Sequence, residues 1–248
     1  MKPTIAAGII ATMAAAYSSF ADATIVEFQT SQGSFQVNLF DQKTPNTVDN
    51  FLGYVDRGDY RSSYIHRSVS NFIVQGGAYT FDDQSEIIAT QSPVVNEPVY
   101  SNVAGTIAMA KRSGDKNSAT SQWFFNVGDN SANLDLQNGG FTVFGQVIGD
   151  GLEIVKKINS MDTCNDVPVT NYTADECRQG ATLTSANLMM INDIVIIDSD
   201  PNSAIDLSPV ENTLIADSET DSSSGAAWWL APLALLVALR RKSAKALN

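Results

Sequence analysis

The sequence predicts a mostly β protein, built as an antiparallel barrel or sandwich. Three observations predict it. Short alternating or continuous apolar runs recur through the middle of the chain, only two stretches repeat with helical spacing, and the 248 residues are 44% hydrophobic, enough to bury a core. A doubly wound parallel sheet would need a helix between successive strands, and the helical stretches are too few.

The first 23 residues stand apart from this pattern. MKPTIAAGIIATMAAAYSSFADA has Lys2, an apolar stretch from Ile5 to Ala16 and small residues at Ala21 and Ala23, the layout of a cleaved signal peptide. The domain then begins with TIVEFQTSQGSFQVNLF, a period-two pattern broken at Ser31-Gln32-Gly33, which predicts a hairpin. Thr44-Pro45 opens a helix in which Val48, Phe51, Leu52 and Val55 fall on one face, and Gly58 suits its exit. Strands are expected at Tyr64 to Arg67, Phe72 to Gln75, Thr106 to Ala110, Gln122 to Val127 and Val143 to Val147. Gly151-Leu152 opens a second helix with Leu152, Val155 and Ile158 on one face, and MMINDIVIID closes the domain near Asp198.

Residues 199–225 hold six acidic side chains, no Lys or Arg, and many serines, so the composition assigns them to a solvated, disordered linker. Residues 226–248 follow as an apolar stretch from Ala226 to Leu239 and a basic cluster at Arg240, Arg241 and Lys242. Fourteen helical residues reach about 21 Å, short of the ~30 Å hydrocarbon core. This tail resembles the GlyGly-type C-terminal sorting signals of some secreted bacterial proteins, although Ser222-Ser223-Ser224-Gly225 replaces the usual glycine pair. The expectation is a sorting signal or a membrane anchor.

Export sets how the two cysteines are read. Cys164 and Cys177, with twelve residues between them, are expected to pair in an oxidising compartment. One histidine and two cysteines fall short of a zinc shell, so no metal is expected. Residues 24–225 carry 10 Lys and Arg against 26 Asp and Glu, a net charge of −16, which argues against a nucleic-acid partner. Neither a Gly-x-Ser-x-Gly elbow nor a Gly-x-Gly-x-x-Gly turn is present, and the chemistry left is one that runs on shape and hydrogen bonds alone.

Three motifs in order carry a resemblance: YIHRSVSNFIVQGG at 64–77, GTIAMAKRSGDKNSATSQWFFNVGDN at 105–130 and NLDLQNGGFTVFGQVIGDGLEIVKKI at 133–158. Together they resemble the cyclophilins, over about 175 residues from Thr24 to Asp198. The resemblance implies a closed eight-stranded antiparallel barrel capped by two α-helices, peptidyl-prolyl cis/trans isomerase activity and no cofactor. It also implies the roles of individual residues. Arg67 and Gln75 are the catalytic candidates; Phe72, Ile73, Met109, Ala110, Lys111, Gln122, Phe124, Leu134 and Phe141 are expected to seat the proline and line the groove. His66 matches a position with a structural role. The partners implied are proline-containing segments of unfolded or exported proteins, and a periplasmic or envelope-attached monomer is expected. Ser70-Asn71 departs from the common Pro-Gly, Asn133 from the tryptophan and Phe141 from the histidine of many eukaryotic members, so weak cyclosporin binding is expected. A binding module on the same fold, without turnover, is the rival reading.

Overall fold

The structure, a computed structural model, describes residues 24–199 and 207–215. The signal-peptide and sorting-tail expectations, at 1–23 and 226–248, lie outside the described residues.

The opening hairpin forms as the alternation requires. β1 (Ile25–Thr30) pairs with β2 (Gly33–Leu39) in a register that sets Thr30 opposite Gly33. Its inward side chains Val26, Phe28, Val37 and Leu39 are fully buried. Helix α1 (Pro45–Asp56) then turns Val48, Phe51, Tyr54 and Val55 onto the sheet. Its cap comes from far along the chain: the Glu97 carboxylate accepts from the backbone N–H groups of Asn46 and Thr47 at 3.3 and 2.9 Å, while Thr44 turns its hydroxyl back to Phe40. A carboxylate suits that place because the first-turn donors have no partner inside the helix and the helix dipole favours a negative charge there.

Next come β3 (Ser63–Tyr64), β4 (Arg67–Val69), β5 (Ile73–Gly76), β6 (Tyr79–Asp82), β7 (Gln84–Ile87), β8 (Thr106–Met109), β9 (Trp123–Asn126), the short helix α2 (Ser131–Leu134) and β10 (Val143–Ile148). The chain continues through α3 (Gly151–Asn159), β11 (Thr163–Cys164), β12 (Val167–Pro168), α4 (Ala174–Gln179) and β13 (Met190–Asp198). The main sheet runs β4-β5-β9-β8-β10-β2-β1-β13-β3, with the β6–β7 hairpin hanging from β3. Residues 63–69 act as one strand paired on both sides. Ser63 and Tyr64 pair with β13, Ile65 N–H donates to Met189 O at 3.0 Å, His66 N–H donates to Gln75 O at 3.2 Å, and β4 pairs with β5. Counting that stretch once, eight antiparallel strands curl into the expected barrel.

Inside lies an aromatic cluster. Phe28 stacks on Phe35 at 5.2 Å and meets Trp123 and Phe125 edge-on at 5.1 and 5.2 Å. Trp123 lies so close to β5 that a Cβ on Gly76 would fall 2.6 Å from its ring, and Gly77, at φ +79°, would drive one into the Ser121 carbonyl. The glycine pair is therefore a packing requirement as well as a turn.

Three parts add to the sequence expectation or differ from it. The β6–β7 hairpin was not foreseen, because its residues are largely exposed and carry no inward alternation. Residues 161–187 form a built excursion: β11 and β12 make a hairpin through Asn165 and Asp166, both at positive φ, and α4 carries a capping box of Thr173 and Glu176. Cys164 and Cys177 are bonded and staple β11 to α4. Finally, residues 207–215, within the stretch whose composition reads as a linker, lie against the barrel: Ser101 N–H donates to Val210 O and Asn212 N–H to Val99 O, each at 2.8 Å.

Candidate active site

Strand register assembles the first half of the site. Arg67 stands opposite Gln75 across β4 and β5, Gln75 opposite Phe124 across β5 and β9, and Phe124 opposite Ala108 across β9 and β8. Directly opposed residues share a sheet face, so these four form one row on the outside of the barrel. Arg67 Nη1 donates to Gln75 Oε1 at 3.4 Å, and Gln75 Nε2 donates to Gln122 Oε1 at 3.0 Å. Ile73, two residues before Gln75, shares its face and packs with Phe124, Leu134 and Ala108 in an apolar cluster, with Phe72, Ala110 and Phe141 at its margin.

The turn entering β5 is held from outside. Asn71 takes the left-handed conformation (φ +56°) that its short polar side chain tolerates. Asn159, at the end of α3, donates to Val69 O at 2.9 Å and accepts from Asn71 N–H at 3.0 Å. Asn130 donates to Phe72 O and Asn126 Oδ1, fixing the phenylalanine from the other side.

Loops build the second half. Phe141 meets Phe124 edge-on at 5.7 Å, and its N–H donates to Leu134 O. Between Leu134 and Phe141 the chain passes through Asn138, Gly139 and Gly140, all at positive φ, which turns their carbonyls inward. Lys111 Nζ donates to Asn138 O, Gly140 O and Asn96 Oδ1 at 3.0, 2.6 and 3.0 Å, and lies 4.8 Å from the centre of the Phe141 ring. Its three protons are thus occupied by this turn. Burial pulls the Lys111 ammonium down to about 8, with Lys116 adding repulsion. A depression of about 390 Å³, lined by Lys111, Ser113, Gln137, Asn138 and Phe141 among others, opens alongside.

Met109 requires a correction. Expected on the groove, it is fully buried in the barrel core, because β8 sends Ile107 and Met109 inward and Ala108 outward. His66 lies beside the row, its ring edge-on to Tyr79 and its buried Nδ1 without a hydrogen-bond partner. Burial, then the positive charge of Arg67, push it down to about 4 against an opposing hydrogen bond with Gln122, so the ring is neutral at pH 7.

Some contributors had no sequence motif of their own. Asp166, at the tip of the excursion, accepts from Ser68 N–H through its carbonyl at 2.7 Å and brings its carboxylate to 3.9 Å from Arg67 Nε. Asn96 lies outside the motifs and is tied to them by donating to Gly139 and Gly140 O and accepting from Lys111 Nζ and Thr142 Oγ1. Among the described residues no cluster of His, Cys, Asp or Glu is placed to hold a metal ion.

A family model described as cyclophilin type peptidyl-prolyl cis-trans isomerase matches residues 25–179. The chain belongs to that family, and it is a peptidyl-prolyl cis-trans isomerase. This cyclophilin is 43% identical over 152 residues to peptidyl-prolyl cis-trans isomerase A of Dickeya dadantii, covering 60% of the present chain and 77% of that protein. It is 39% identical over 145 residues to peptidyl-prolyl cis-trans isomerase B of Escherichia coli, covering 56% and 86%. In fold it matches the crystal structure of a cyclophilin type isomerase of Cryptosporidium parvum with a TM-score of 0.52 at 20% identity, over 71% of this chain and 99% of that one.

Proposed function

We propose that this isomerase speeds the folding of exported proteins by twisting X-Pro bonds over the row Arg67, Gln75 and Phe124. The amide barrier is ~20 kcal/mol because resonance holds the bond planar, so a catalyst has to favour the twisted state. In that state the prolyl nitrogen regains a lone pair. A guanidinium donating to it stabilises the transition state over the planar ground state, and no bond to the protein forms. Ile73, Phe124, Leu134 and Phe141 seat the proline ring, and Gln75 takes a backbone hydrogen bond.

One observation carries this reading: a single row of the sheet sets the arginine, the glutamine and the pocket phenylalanine side by side. Export is supported by the signal-like first 23 residues and the bonded Cys164 and Cys177, since such bonds persist in oxidising compartments. Arg67→Ala tests the mechanism. It is expected to lower kcat/KM on a proline-containing peptide by about tenfold or more while leaving thermal unfolding almost unchanged, because the side chain is half-buried at the surface and its contact with Asp166 is a long, exposed ion pair. Equal activity of the two proteins would show that Arg67 does not carry the catalysis.

A further inference from the structure

Segment 207–215 lies beyond the last strand and beyond the stretch that matches the family. It nevertheless contacts the site. Val210 O accepts from Ser101 N–H, Asn212 N–H donates to Val99 O, Tyr100 pairs with Glu211 as an isolated bridge, and Leu207 packs on the apolar cluster that contains Phe124 and Leu134. The deepest contact is made by Asn212, a polar residue only 9% exposed. Its Nδ2 donates to Asp135 O at 3.0 Å, and its Oδ1 accepts from Leu214 and Ile215 N–H at 3.1 and 3.4 Å.

Asp135 is the first residue of the Leu134–Phe141 turn. Its own carboxylate is buried and accepts from Ser101 Oγ and from Asn102 N–H and Nδ2, and Asn102 Nδ2 also donates to Phe141 O. Gly140 passes so near that a Cβ there would lie 2.6 Å from Asp135 O and 3.3 Å from Asn212 Nδ2. A buried carbonyl left without its donor is costly, so loss of the Asn212 amide removes a restraint on the position of this turn.

We propose that residues 207–215 are the closing element of the catalytic domain and that Asn212 is a positioning residue for the Leu134–Phe141 side of the pocket. The proposal rests on that side being the proline seat. It predicts an effect on substrate fit, with the chemistry at Arg67 untouched.

Asn212→Asp in the full-length protein is the test, since it keeps the acceptor for Leu214 and Ile215 but removes the donor to Asp135 O. KM for a proline-containing peptide should rise about fivefold with kcat within about twofold, and amide exchange at Gly140 and Phe141 should accelerate about tenfold while Phe28 and Ile107 stay protected. Asn212→Ala, which adds no charge, should give the same split with a smaller amplitude. Unchanged exchange at Gly140 and Phe141 overturns the proposal, as does loosening spread evenly over the barrel. Failure of Arg67→Ala to reduce activity would instead sink the site reading, leaving the exchange result to stand alone.

Discussion

The two walls of the proposed pocket are made in different ways. Arg67, Gln75, Ile73 and Phe124 sit on β4, β5 and β9, where pairing fixes each side chain to within one residue. Leu134 and Phe141 sit at the ends of a turn with three successive positive-φ residues, secured by Asn96, Asn102 and Lys111 from one stretch of the chain and by Asn212 from another. A strand wall draws its order from the whole sheet, whereas a loop wall depends on a handful of polar contacts. The first should yield to loss of bulk or to a charge forced into its packing; the second should respond to single hydrogen bonds.

Phe124→Ala gives the largest effect, because the ring is 3% exposed and shared by both walls. A loss of about 3–5 kcal/mol in denaturant unfolding is expected, with kcat/KM down by more than about tenfold. Retained stability would mean that the strand wall does not depend on its own packing.

Acid should act on the strand wall. His66 has its folded value lowered to about 4 from 6.5, so between those values the unfolded chain binds a proton that the folded one refuses. Stability is therefore lost as pH falls from about 6.5 to about 4, by roughly 3 kcal/mol at most. Since His66 is the only histidine, its ring proton resonances report the titration directly. A value near 6.5 would contradict the buried neutral ring.

Alkali should act on the loop wall. Lys111→Met removes three hydrogen bonds and the cation over Phe141, and is expected to cost about 1–2 kcal/mol and raise KM severalfold at constant kcat. In the wild type the same ammonium loses its proton near pH 8, below its unfolded value of 10.5, so KM should rise through that pH. Global stability moves the other way: the unfolded chain holds the extra proton from about 8 to 10.5, and this group makes the fold more stable as pH climbs. A KM flat across pH 7–9 in wild type, or unaffected in the variant, would erase the distinction between the walls.

The smallest effect belongs to Asp166→Asn. The carboxylate stands 3.9 Å from Arg67 Nε with its side chain 64% exposed, so its removal should change kcat/KM by no more than about twofold. A larger change would show that the excursion tunes the catalytic arginine.

Much of the strand wall was legible in the sequence, because alternation reports facing directly: Ile73 and Gln75 share a side, and Phe124 is flanked by the inward Trp123 and Phe125. Met109 shows the limit of that reading. Four consecutive apolar or small residues in β8 carry no alternation, and its neighbours on both sides decide which of them face inward. The β6–β7 hairpin was hidden for another reason, since its strands bury little and depend on turn chemistry.

By itself, the sequence determined the barrel, its two principal helices, the family and the strand-borne half of the site, because these follow from periodicity and from motifs local in the chain. Tertiary structure alone decided that Glu97 caps α1, that Lys111 faces carbonyls, that Asp166 approaches Arg67 and that Asn212 reaches Asp135. Each of those is a polar contact between residues far apart in sequence, and a hydrogen bond leaves no periodic trace in the chain that makes it.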